Sequence, residues 1–240
     1  MATVAAAPAT GRRNDRVFYT GMAVAMALAV FVGFAPTYYL KGYFASPALS
    51  SILHVHGLLF TSWIVLMLVQ TTLVAARRTP VHRRLGVAGA ALAAVLVGVG
   101  IATAIDAAQR GAAPTGIPPL AFLIIPFGDM VLFAVLVGAA VWYRRQPETH
   151  KRLMVLGTIA ILTAAIARWP GVLPLGPLVF FALTDLFIVA GAVYDKWSRG
   201  RVHPAYIWGG LLIVVSQPLR LVLSGTEAWQ AFARTLTGVS

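Results

Sequence analysis

Four charged side chains and one amide stand where lipid should exclude them. Asp129 lies in "IIPFGDMVLF" one turn after Pro126, Asp185 in "FFALTDLFIV", Arg168 in "AIARWP", and Gln217 and Arg220 in "SQPLRL", all within apolar surroundings. A charge near the bilayer centre costs about 2.5–3.5 kcal/mol even on lenient insertion scales, so each of these groups needs a partner or a polar space. Counting from the nearest basic loops at about 1.5 Å per residue puts Asp185 about 16 Å deep, Gln217 about 21 Å, Asp129 about 22 Å, Arg220 about 25 Å and Arg168 about 27 Å. Two acids and two arginines at comparable depth are expected to pair, because a planar guanidinium fork suits a carboxylate. Arg168 is the first partner to try for Asp129, and Arg220 the next.

Pro126 and Pro218 each remove a backbone N–H beside these charges and free a carbonyl that a polar cavity can satisfy. Broken helices beside ionisable groups mark binding sites in membrane proteins. The expected site is a polar cavity open toward the external side, holding a small ligand or a metal ion through Asp129, Asp185, Arg168, Arg220, Gln217 and Tyr38. The competing reading is a buried ion-pair network that only locks helices together.

Two sets of histidines add to this. His54 and His56 in "SSILHVHGLLF" open the second apolar span near Tyr38 and Tyr39. Residues two apart on a helix point about 200° apart, so one metal takes both only if the first turn is irregular. Joined to Asp129 or Asp185 they would form a His–carboxylate site for zinc, iron or manganese; the alternative is a pair of hydrogen-bonding anchors at the interface. His82, His150 and His203 begin the third, fifth and seventh spans on the other face. With Arg83, Arg84, Lys151, Arg152 and Arg201 nearby, they form a rim that attracts anions, either lipid phosphate or haem propionates. Since histidine is a common axial ligand of membrane haems, a haem b redox protein is the alternative function.

These residues are carried by a chain of 240 residues, 59% hydrophobic and 11% charged, far from the composition of a soluble domain. Seven stretches are apolar over about 18 residues or more: 17–40, 51–75, 84–106, 118–143, 152–169, 174–194 and 204–223. Residues 1–16 are expected to be a flexible cytoplasmic tail and 224–240 an external one, flanking a single transmembrane domain, 17–223. The loops alternate in charge. Arg12, Arg13 and Arg16, then Arg77, Arg78, Arg83 and Arg84, then Arg144, Arg145, Lys151 and Arg152, then Lys196, Arg199 and Arg201 fall on one face, fourteen of the nineteen basic residues. The positive-inside rule therefore gives a cytoplasmic N-terminus and an external C-terminus. The basic face also explains the net charge of +12 without nucleic acid, and suits anionic lipid headgroups.

Span 3 carries Gly86, Ala90, Ala94, Gly98 and Ala102 at every fourth position, a small-residue row expected to set it at the centre of the bundle. "DMVLFAVLVGAAVWYRRQPETHKRLM" and "DLFIVAGAVYDKWSRGRVHPAYIW" share one order: Asp, apolar half-helix, aromatic, basic turn, histidine, next helix. "TSWIVLMLVQTTLVAARRTPVHRRLG" has the same shape, with Thr61 near the Asp position. The fold expected is an all-α integral membrane protein in which helix 1 precedes three hairpin repeats, 2–3, 4–5 and 6–7.

With no cysteine in the chain, disulfides and thiolate metal sites are excluded. There is no Gly-rich phosphate loop, no G-x-S-x-G, no HExxH and no lysine in span 7 for a retinal Schiff base. In "FAPTYYLKGYF", "LHVHGLLFTSW", "VHRRLG", "ETHKRLM", "FFALTDLF" and "RVHPAYIWGGLL…SQPLRL" the chain resembles a widespread bacterial group of seven-helix inner-membrane proteins. That resemblance implies the fold and an inner-membrane location but no activity. The loops "HRRLG" and "THKRLM" also look like those of haem-handling membrane proteins. An accessory subunit of a larger membrane complex is the third functional reading.

Overall fold

Proline opens five of the helices. It fits the first turn, where no helical N–H bond is lost, and it stands there in α3 (Thr79–Gln109), α4 (Pro119–Phe122), α6 (Pro147–Ile166), α7 (Pro177–Arg199) and α8 (Pro204–Ser224). The others are α1 (Ala9–Phe34), α2 (Ser51–Ala75), α5 (Ile124–Trp142) and α9 (Glu227–Thr237). The computed structural model describes residues 9–114 and 116–239, with the side chains of 9–12 excepted. Seven helical stretches are long and apolar enough to cross a membrane, α4 and α5 together making the fourth. They match the seven expected spans to within a few residues at most ends.

Apolar side chains cover the outside of the bundle as well as its inside: Leu28, Val87 and Val222 are 60%, 74% and 71% exposed. In water such a surface would be an association site; around seven spanning helices it is the face that meets lipid.

The centre is α6, not α3. Leu156, Ile159, Leu162, Ala165 and Ile166 are wholly covered, and the helix packs against α1, α5, α7 and α8. It is the least apolar of the seven spans, with a mean hydropathy of 1.2 against 2.5 for α4–α5. A central helix touches protein on all sides, so it has little need of lipid-soluble side chains. Its neighbours approach closely: a Cβ on Gly33 of α1 would lie 2.1 Å from the Ala165 carbonyl oxygen, and the Trp63 indole donates to Thr158 Oγ1 at 3.2 Å.

From Ala94 onward the expected small-residue row of α3 faces away from the bundle. Ala94, Gly98 and Ala102 are exposed, and a Cβ on Gly98 would meet nothing; the row in contact is Gly89, Ala93, Gly100 and Ala104. The expected row repeats every four residues and the row in contact steps by four, seven and four, both built of Gly and Ala, so small residues alone could not choose between them. The pairs α2–α3 and α5–α6 are close antiparallel hairpins, while α7 and α8 touch each other less and lean on α6.

Part of the range expected as an N-terminal tail is helical. Residues 9–16 continue α1 as helix, and Asp15 is bonded into the bundle; residues 1–8 lie outside those described. At the other end, α9 is an amphipathic helix whose Trp229, Ala233 and Leu236 pack on Leu120, Leu123, Ala104 and Ala108.

Candidate functional site

The residues expected to share one cavity separate into an intramembrane seam and a patch at the face opposite the basic loops. The seam crosses α5, α8 and α7. Gln217 and Arg220 are three residues apart on α8 and so share a face. Arg220 Nη1 donates to Asp129 Oδ1 at 2.6 Å and to the Ile125 carbonyl at 2.9 Å, its Nε donates to the Ser216 carbonyl at 3.3 Å, and its guanidinium lies 5.1 Å from the Phe181 ring centre. On the other flank Gln217 Nε2 donates to Asp185 Oδ1 at 2.8 Å. Asp129, Gln217 and Arg220 are buried and Asp185 is half-buried.

The partner of Asp129 is thus Arg220. Gly128 explains how the arginine reaches it, because a Cβ there would come within 2.4 Å of Arg220 Cδ. The glycine directly before the aspartate was the sequence signal for close passage of a side chain from another helix. Asp129 is not open to a cavity: its side chain is 5% exposed, and the pair is covered by protein.

Arg168 does not join this seam. α6 ends at Ile166, so Arg168 sits in the turn beyond it rather than at the depth of the acids. It is exposed, donates to the Ala164 carbonyl at 2.6 Å and lies 4.9 Å from the Phe34 ring centre. Counting residues inward assumed one unbroken helix, and α6 is too short for that. Around the same face, Ala35–Tyr39 closes the first span as a π-helical turn. Tyr38 Oη donates to the His54 carbonyl at 3.4 Å, and the Tyr39 and Thr61 hydroxyls are 2.8 Å apart. His54 is exposed, while His56 stacks on Phe60 with ring centres 4.1 Å apart and leaves its Nδ1 buried without a partner. Neither histidine bonds to Asp129 or Asp185, and among the described residues no three His, Asp or Glu side chains cluster as a metal centre requires.

At the basic face lies a network that the sequence reading had dispersed among loops. Arg152, wholly buried, grips Asp195 with two parallel bonds, Nε to Oδ2 at 2.7 Å and Nη2 to Oδ1 at 2.5 Å, and donates through Nη1 to the Glu148 carbonyl and Oε2 at 2.6 and 2.8 Å. Arg199 donates to Asp195 at 3.2 Å and to both Asp15 oxygens, Lys151 bridges Asp15 and Glu148 at 2.6 and 2.8 Å, and Tyr194 Oη donates to Asp15 at 2.7 Å. Three acids and three cations therefore cancel across α1, α6 and α7. The clues were Asp15 in the supposed tail and Asp195 one turn before Arg199, but loop counting treats every arginine near a helix end as solvated.

Of the three histidines considered for haem, His82 and His150 stand together with ring centres 6.3 Å apart, and the structure engages His203 in the ion network. His150 Nδ1 donates to the Ala140 carbonyl at 2.8 Å, which fixes its tautomer. The His203 backbone donates to Asp195 at 3.1 Å, and its Nδ1 accepts from the Ala205 N–H at 3.1 Å, capping α8. Burial, joined by the Arg152 charge, holds the His203 imidazole below its ordinary pKa.

Two shallow, open grooves lie on the outer surface, and both are apolar. One of about 400 Å3 runs between α1 and α7, and one of about 350 Å3 lies along Trp208, Leu211, Val215 and Leu219 of α8. Searched against protein families, curated proteins and solved structures, the chain matches none of them.

Proposed function

We propose that the chain is a polytopic protein of a bacterial inner membrane, its N-terminus cytoplasmic, which binds a small polar ligand at Asp185 on the α7 flank of the seam. The observation behind this reading is one of pairing. Asp15, Asp106, Asp129, Glu148 and Asp195 each bond to an arginine or lysine. Asp185 is the one carboxylate within a span, among the described residues, that has only an amide partner. Gln217 occupies Oδ1 and leaves Oδ2 to accept from a donor. A carboxylate kept inside a membrane without a cation is a functional group by default. The ligand it suits is a small amine, a guanidine or a divalent cation, with Gln217 holding the carboxylate in place and Asp129–Arg220 fixing the spacing of α5 and α8.

The test is thermal unfolding of detergent-purified protein against a panel of small amines, guanidines, Mn2+ and Zn2+. A binder present at about 100 times its Kd stabilises by about 2.7 kcal/mol, so at least one member should raise the midpoint in a concentration-dependent way, and Asp185→Asn should abolish that rise. A panel that leaves wild type unmoved, or that moves both proteins alike, overturns the reading.

A further inference from the structure

The groove between α1 and α7 has a shape that follows from residue size. At the basic face the two helices are tied together: Asp15 bonds to Tyr194 and Arg199, and Phe18 stacks flat on Tyr194 with ring centres 3.8 Å apart. Farther in they part, because Gly21 and Ala25 of α1 and Ala190 of α7 offer nothing to fill the gap between Val17, Leu186 and Phe187. A Cβ placed on Gly21 meets no atom within 4 Å. From Val17 to Ala25 the slot is about 12 Å long, which falls within the roughly 15 Å of hydrocarbon in one leaflet.

The rim of the slot is polar in one sense only. Val17, Gly21 and Ala25 form an i, i+4 row that continues outward to Arg13, which is exposed and has no acidic partner among the described residues. The acid nearest to it in sequence, Asp15, is already taken by Lys151 and Arg199. On α7 the row through Ala190 reaches Trp197, 73% exposed at the level where indoles sit in the interface, beside exposed Lys196. An apolar slot about 12 Å long, with an unpaired guanidinium on its α1 row and an indole on its α7 row next in sequence to an exposed lysine, is complementary to an amphiphile with an anionic head. A second copy of the chain fits it poorly, since a two-fold contact would set Arg13 and Lys196 against their own images.

We propose that this groove binds an anionic glycerophospholipid of the leaflet at the basic face, one acyl chain lying between α1 and α7 and the phosphate resting between Arg13 and Lys196. The proposal is independent of the Asp185 reading. It is tested with detergent-purified full-length protein to which dioleoyl phosphatidylglycerol or dioleoyl phosphatidylcholine is added, following bound lipid by native mass spectrometry and unfolding by fluorescence. Wild type should retain the glycerol lipid preferentially and melt later with it than with the choline lipid. Arg13→Gln should lower that preference about fivefold, the worth of one basic residue near a membrane surface. Gly21→Leu, or Ala190→Leu should the first fail to fold, should fill the slot and remove both the bound lipid and the difference in melting. Equal retention of the two lipids by wild type, a preference that survives a filled slot, or a dimer that Gly21→Leu converts to monomer would each overturn it.

Discussion

The network around Arg152 and the seam around Arg220 begin from the same chemistry, an arginine on one helix reaching an aspartate on another, and they end differently. Arg152 meets Asp195 with two bonds, and every charge near it has a counter-charge, so that Asp15, Glu148 and Asp195 cancel Lys151, Arg152 and Arg199. Arg220 meets Asp129 with one bond, while Asp185 on the far flank has no cation at all. The closed network welds α1, α6 and α7 at one face, where lipid headgroups and water would otherwise compete for the charges. The open seam leaves Oδ2 of Asp185 without a hydrogen-bond partner among the described residues. The two arginines thus mark a closed half, where each charge has a counter-charge, and an open half, where Asp185 has none.

The largest effect should come from breaking the closed half. Removing one member of a buried charge pair leaves the other uncompensated, at a cost of about 3–5 kcal/mol. Arg152→Met and Asp195→Leu are each expected to lower the unfolding midpoint in detergent more than any other single change considered, and the double variant should recover part of the loss. A double variant as unstable as the sum of the singles would mean that the pair is not closed.

The next effect tests which arginine serves the seam. Asp129→Asn and Arg220→Met should each cost about 2–4 kcal/mol, less than the Arg152 pair because only one bond joins them. Together they should lose clearly less than their sum, whereas Asp129→Asn combined with Arg168→Met should be additive within about 0.5 kcal/mol. A coupling between Asp129 and Arg168 above that value would show that the turn after α6 reaches the seam. Smaller still is the stability change from Asp185→Asn. An amide can accept from Gln217 as the carboxylate does, so the loss should stay under about 1 kcal/mol while ligand stabilisation disappears. A loss as large as that of Asp129→Asn would make Asp185 a structural residue.

The difference between the halves also marks what could be read beforehand. Seven spans, their order and the basic face follow from apolar runs and loop charges, and all seven spans are present. What depends on the rotation of each helix about its axis was not legible. The α3 row at Gly86, Ala90, Ala94, Gly98 and Ala102 and the row at Gly89, Ala93, Gly100 and Ala104 are both built of Gly and Ala, yet the second is buried against protein while Ala94, Gly98 and Ala102 of the first are exposed. Arg152 illustrates the same limit at a helix end: it follows the exposed Arg144 and Arg145 of the same basic stretch, and only packing decides that its own guanidinium is covered. Asp129 was legible as needing a partner, and its place after Gly128 carried the information that the partner passes close by.

The smallest expected effect concerns the edge of the closed network, where His203 caps α8. Its imidazole is held below the ordinary pKa by burial and by Arg152, so the folded chain binds a proton there less readily than the unfolded chain does. Stability from this group is then present above the unfolded pKa of about 6.5 and is lost as the pH falls through that value toward the lower folded one. Protonation would also put a hydrogen on Nδ1, the atom that accepts from the Ala205 N–H. His203→Asn keeps a side-chain acceptor suited to the N-cap without a titrating ring. The variant should unfold near the wild-type midpoint at pH 8 and fall behind it less, or exceed it, at pH 5; parallel curves across that range would mean that the network does not sense the charge on this ring.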